Sequence, residues 1–182
     1  MQTQNLPEIE KNQSQNRKIL AFLTALCLFF SAVEFAIPKP FPFLRLGLAN
    51  APIILSLFIL PASQFFLLVL LKIFVQNLIS GTLFSYTILF SVAGSFASAL
   101  IMFALFKLLY NRGIISLIGI SLAGALFNSL AQLGVSYLLI FNENTKYIAP
   151  VLLASSFITG LLLGIAVTCF TDNSKWFKEI AG

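Results

Sequence analysis

Residues 63–82 read SQFFLLVLLKIFVQNLISGT, an almost wholly apolar run with a lysine, Lys72, at its middle. It matches the ~20 apolar residues that a helix needs to cross a hydrocarbon core of about 30 Å. The apolar residues are continuous rather than alternating, which predicts a membrane helix and not a barrel strand. Charges and proline or glycine punctuation mark out five more such segments, at residues 19–37, 47–60, 86–109, 114–140 and 147–170. The expected fold is an all-α membrane protein of six transmembrane helices, a single bundle over residues 19–171.

Composition gives the same class. The chain has 182 residues, 59% of them hydrophobic and 9% charged, with 20 phenylalanines, and its mean hydropathy is +0.97. So few polar residues cannot clothe a water-soluble globule, and six spans leave no room for a soluble catalytic domain. Residues 1–18, rich in Gln, Asn, Lys and Glu, read as a disordered cytoplasmic tail, and residues 172–182 as a short second one. Arg17 and Lys18 ahead of the first apolar segment also fit a signal peptide; we read that segment as a retained helix.

The inventory excludes several chemistries. With no histidine, a His-based metal site, a Ser-His-Asp triad and a His proton relay are all impossible. Cys27 and Cys169 lie in apolar runs and read as packing residues. Asp172 is the only aspartate, so a paired-aspartate magnesium cluster for diphosphate cannot be built from this chain. No glycine-rich loop with a lysine is present to cradle ATP phosphates. We expect no catalytic residues, no metal, no cofactor and no nucleic-acid partner.

The connections are partly legible. Residues 37–43, IPKPFPF, hold three prolines in five positions and predict a stiff aromatic loop over the membrane face. Asn50 is placed to cap a helix with Pro52 in its first turn, and Pro61 divides the second and third segments. The second segment is only about 14 residues, or about 21 Å, which is short for a span. With the N-terminus inside, Lys11, Arg17, Lys18, Lys107, Arg112, Lys175 and Lys178 fall on the inner side. Lys39, Arg45 and Lys146 fall outside. This bias places both termini in the cytoplasm, with Trp176 as an interfacial anchor.

Lys72 is left inside the membrane, where an ammonium is costly enough to need a function or a partner. Gln76 and Ser80 follow on its face at helical spacing, with Asn77 beside them. Asn128 and Gln132 repeat the pattern in the fifth segment, while Glu34, Arg45 and Asn50 lie at the outer ends of the first two. These groups map to the midplane or outer half and suggest one polar pocket, open outward and roofed by the proline-rich loop. Its excess of positive charge favours an anionic or phosphate-like group beside an apolar body. Phe84, Tyr86 and Phe127 are candidates to line the apolar part. Two alternatives stay open: Glu34 pairs with Lys72 structurally, and the amides act as interhelical glue. Small residues recur at Ala21-x-x-x-Ala25, Ala32-x-x-x-Ala36 and at Gly119, Ala123 and Gly124, spacings that serve either internal packing or a partner helix.

Taken together, these residues resemble a known family. Glu34 with the proline-rich loop, Arg45-Leu46-Gly47-Leu48-Ala49-Asn50, Ser80-Gly81, Ser91-x-x-Gly94, and Ser116-x-x-Gly119-x-Ser121-x-x-Gly124-Ala125 with Asn128 and Gln132 are similar to the "Gx transporter" family. That family is often labelled heptaprenyl diphosphate synthase component I and looks like a branch of the S components of energy-coupling factor transporters. The resemblance runs from about residue 19 to about residue 141, and the last helix adds only apolar character. It implies a six-helix subunit of the cell membrane that captures a vitamin or small metabolite from outside. It further implies docking through Ala21, Ala25 and Ala32 onto a transmembrane coupling subunit driven by two cytoplasmic ATPases, with residues 38–43 as a gate. The chain departs from the family pattern at Phe127, commonly His, and at Lys72, commonly Arg. The label's other implication is a membrane accessory subunit of prenyl diphosphate or quinone biosynthesis. A self-standing carrier using Lys72 and Glu34 is a third reading, but the two halves of the chain show no repeat.

Overall fold

The computed structural model describes residues 6–36 and 47–174. Each of the six apolar segments is helical, and there is no strand among the described residues. The helices are α1 (Leu6–Ala36), α2 (Ala51–Ile59), α3 (Ala62–Ile79), α4 (Thr87–Leu108), α5 (Leu117–Ser136) and α6 (Thr145–Asn173). A single 3-10 turn, Leu48–Asn50, leads into α2, and a π-helical turn, Tyr137–Phe141, extends α5. Five helices, all but α2, are long and apolar enough to cross a membrane, so this is a multi-pass membrane protein.

One expectation needs correction. Residues 6–18 were expected to be unfolded, yet α1 begins at Leu6 and carries them as a polar extension of its membrane segment. Pro7 falls in the first turn, where a missing N–H costs nothing. Residues 6–18 contain no glycine and, besides Ile9, no β-branched residue to oppose continuation of the helix. By length and composition five helices qualify as spans, and α2 is shorter. The second segment, three residues of 3-10 turn and nine of α-helix, extends only about 20 Å.

The burial of α2 explains why so short a helix persists. Ala51 to Leu57 are buried on every side, and α2 packs against α1, α3, α4 and α6. A helix apolar all round belongs in an interior, and here the interior is made by the long helices. Ile53, Ile54 and Leu57 join Leu23 and Cys27 of α1, Phe65 and Leu68 of α3, Met102 of α4 and Ile120 of α5 in one core.

The two ends of the bundle differ in chemistry. Where α2 ends, α3 begins and α4 ends, rings pack on rings. Phe58 meets Phe106 and Tyr110 edge-on, Phe106 stacks on Tyr110, and Phe65, Phe66 and Phe103 form a second group. Such pairs add about 0.5–1.5 kcal/mol each beyond their area. The opposite end, where α1, α3 and α5 finish and α2, α4 and α6 start, gathers buried polar side chains.

Helix α6 supplies a packing device that its apolar sequence hides. Ser156, Gly160 and Gly164 recur every four residues along its buried face. A Cβ on Gly160 would sit 2.7 Å from the Ala125 Cβ, and one on Gly164 would sit 2.8 Å from the Ile118 Cα. Ser121 Oγ donates to the Gly160 carbonyl at 2.8 Å, and the hydroxyls of Ser129 and Ser156 bond to each other. Small residues let the backbones approach, as membrane helices require when lipid offers no hydrophobic drive between them. Of the spacings noted in the sequence, Gly124 serves the same end toward α4, against Met102 and Ser98.

Candidate functional site

Lys72 is 3% exposed and Glu34 1%. Lys72 Nζ donates to Asn50 Oδ1 at 2.5 Å and to Ser95 Oγ at 3.3 Å, tying α3 to the start of α2 and to α4. Asn50 stands at the N-cap position of α2, with Pro52 in the first turn as expected, but its side chain does not cap the helix. It is turned to the ammonium instead, a correction that only the fold reveals, because the partners lie 22 residues apart. A charge removed from water needs such satisfied neighbours.

Glu34 fills the capping role. One carboxylate oxygen accepts from the Gly47 N–H at 3.1 Å and the Leu48 N–H at 3.0 Å, two amides at the open start of the 3-10 turn. An anion at that position meets the positive end of the helix dipole. Gly47 permits the geometry, with φ +83 in the left-handed region, and a Cβ there would approach Asn50 Nδ2 at 3.0 Å. Glu34, Gly47, Asn50, Lys72 and Ser95 thus form a continuous hydrogen-bonded and packed chain from α1 to α4.

A second group lies where α4 packs on α5. Asn128 is buried against Gly94, whose Cβ, if present, would overlap the amide oxygen. Gln132, one turn on and 1% exposed, has no partner for either its oxygen or its nitrogen among the described residues. The buried hydroxyls of Ser91, Ser98 and Ser136, and that of Thr87, are also without partners among them. The contacts Gly94 to Asn128 and Gly124 to Ser98 set an antiparallel register. Carried one turn further, it puts Ser91 level with Gln132. A buried group without a hydrogen bond costs about 1–3 kcal/mol, so several together at one interface call for an explanation.

The structure therefore divides the residues singled out in the sequence. Glu34, Asn50 and Lys72 come together. Gln76 is buried one turn beyond Lys72, whereas Asn128 meets α4 at Gly94, next to Ser95, and Gln132 lies one turn beyond Asn128 on α5. Ser80 and Asn77 hold the end of α3: Ser80 Oγ donates to the Gln76 carbonyl, Asn77 Nδ2 to the Ile73 carbonyl, and Thr82 Oγ1 to Asn77 Oδ1. Arg45 and the loop 38–43 lie outside the described residues, as does Trp176. Phe84, Tyr86 and Phe127 face outward and line no interior, because Phe84 and Tyr86 fall in the turn before α4 and Phe127 is on the outer face of α5. Ala21, Ala25 and Ala32 are exposed along one side of α1.

A model of the family described as heptaprenyl diphosphate synthase component I matches residues 23–170. The chain belongs to this family. The match takes in α2 to α5 whole, the second half of α1 and all but the last turn of α6, so the component I family match covers most of the bundle. Searches of curated proteins and of solved structures found no match.

Sequence reasoning missed Ser91 and Ser95 as members of the site, along with Ser136 and Thr87. In a helix, serine and threonine often bond back to a carbonyl one turn earlier, as Thr24, Ser156 and Thr168 do here. Hydroxyls that do so cannot be told in a sequence from those that do not. The available signal was the spacing Thr87-x-x-x-Ser91-x-x-x-Ser95, one face of one helix.

Proposed function

We propose that the chain is the solute-binding membrane subunit of an energy-coupling factor type uptake transporter. Its partners are a transmembrane coupling subunit and two cytoplasmic ATPases. The observation that carries this reading is the asymmetry of the bundle, with the buried charged side chains and most of the buried polar atoms that lack a partner among the described residues toward one end, and packed rings at the other. Such a body offers a recognition site that does not continue as a channel. The lysine and arginine bias turns the polar end outward. Lys72 supplies positive potential there, suited to a solute with an anionic or phosphate-like group beside an apolar body. A chain with one aspartate, no histidine and no phosphate loop is better suited to binding than to catalysis, and takes its energy from a partner.

The alanines of α1 fit the assembly step. Ala21, Ala25 and Ala32 lie on one exposed side, at spacings that admit a second helix closely. Replacing Ala25 with leucine is expected to leave solute capture intact and to prevent copurification of the coupling subunit. A pull-down in which assembly persists would move docking elsewhere.

Native mass spectrometry of the gently purified protein tests the whole reading. The expected result is a water-soluble metabolite of low mass, together with attached coupling subunits. The family's description favours a second reading, an accessory subunit in prenyl diphosphate synthesis, for which the same spectra would show a prenyl lipid or a bound synthase. Under the uptake reading, Lys72→Ala lowers retention of the copurifying solute by at least about 30-fold, the equivalent of about 2 kcal/mol for a lost buried charge contact. Unchanged retention would remove Lys72 from the site.

A further inference from the structure

The charged chain through Lys72 leaves the polar residues between α4 and α5 unexplained. Gln132 is completely buried with neither amide atom bonded among the described residues. The antiparallel register of α4 on α5 puts Ser91 level with it, and Ser136 follows one turn along α5; the hydroxyls of both are without partners among the described residues. A carboxamide presents an acceptor and a donor side by side, and its natural complement is another group with the same pair reversed. Serine hydroxyls adjust to either role.

We infer that Gln132, with Ser91 and Ser136, recognises a neutral edge of the solute that carries a hydrogen-bond donor next to an acceptor, such as a ring lactam or imide. The inference rests on the uptake reading and names the substrate class of that site. Lys72 meets α4 at Ser95, one turn from Ser91 and so about 5–6 Å along the helix. Filling the interface with solute would satisfy the amide and the hydroxyls together. The glutamine's burial has a cost in the empty protein that binding returns, because a site built to hydrogen-bond a polar edge rejects analogues lacking it.

Two probes differing only in their edge test this. Uracil has two imide edges, and 1,3-dimethyluracil keeps the ring and carbonyls but has no N–H. Each is titrated into the full-length protein in detergent and followed by saturation-transfer NMR, using wild type, Gln132→Leu and Ser91→Ala. Uracil is expected to bind wild type at least about 10-fold more tightly than its dimethyl analogue. Gln132→Leu should lose uracil binding by a similar factor, and Ser91→Ala by a smaller one. The melting temperature of Gln132→Leu should stay level or rise by about 2–4 °C, because an unpaired amide has been removed. A wild type that ignores uracil, or accepts the dimethyl analogue equally, overturns the inference. So does a Gln132→Leu protein that melts lower and still binds uracil, since the amide would then be interhelical glue. A captured metabolite in the native spectra without uracil binding would leave the uptake reading standing and remove this site. Uracil binding through Gln132 with only a prenyl lipid copurifying would do the reverse.

Discussion

Glu34→Ala is expected to lower the melting temperature by about 10 °C and to expose Cys27 long before the protein unfolds. The carboxylate accepts two backbone N–H groups at the start of the 3-10 turn, and hydrogen bonds to a charged acceptor contribute about 1.5–3 kcal/mol each. Alanine leaves both donors without that acceptor, for a loss of about 3–5 kcal/mol, which for a chain of this size is about 10 °C. The turn carries Ala49 over Cys27, whose Sγ lies 3.8 Å from the Ala49 carbonyl oxygen. A thiol-reactive dye reads this directly, because Cys27 is buried and Cys169 exposed. In a Cys169→Ser background, Glu34→Ala should label at least about 10-fold faster than the parent at a temperature where both remain folded. Glu34→Gln, which retains an acceptor but not the charge, should fall between them. Equal labelling rates would show that α1 does not hold the turn through this carboxylate.

The same contacts show what the sequence made legible. Lys72 announced itself because a charge within an apolar run has few explanations. The all-helical class followed from run length and from the absence of alternation. Partnerships were harder to read. Asn50 beside a helix start with a following Pro52 has the pattern of a cap, and its true partner, Lys72, is visible only once α3 folds back beside α2. Glu34 was noticed for its charge, but its role depends on a turn that Gly47 makes possible with a positive φ. Apolar composition marked the short second segment but could not show its surroundings, because it records burial and does not distinguish lipid from protein. α2 is apolar since helices enclose it. Composition likewise marked residues 6–18 as a tail, whereas a helix already nucleated in the membrane extends into polar sequence at little cost.

Helix α6 is the case in which hydropathy concealed most, and the second large effect is expected there. Gly164→Leu should separate α5 from α6. A Cβ at this position meets the Ile118 Cα at 2.8 Å, the Ser121 Cβ at 3.1 Å and the Ile118 carbonyl oxygen at 3.3 Å. Two of these are backbone atoms of α5, and they cannot swing aside as a side chain would. Overpacking of this kind costs about 1–3 kcal/mol even where neighbours relax. Here the displaced helix would also stretch the bond from Ser121 to the Gly160 carbonyl and the pairing of Ser129 with Ser156, each worth about 0.5–1.5 kcal/mol. A total near 3–5 kcal/mol, or about 10 °C in melting temperature, follows. Gly134→Leu is the matched control, since a Cβ there meets nothing within 4 Å, and its melting temperature should change by less than about 2 °C. Because α5 carries Gln132 and Asn128 on the face toward α4, Gly164→Leu should also weaken solute retention, although position 164 lies toward the far end of α6. Equal stability of the two variants would mean that the serine and glycine spacing of α6 does not set the distance between these helices.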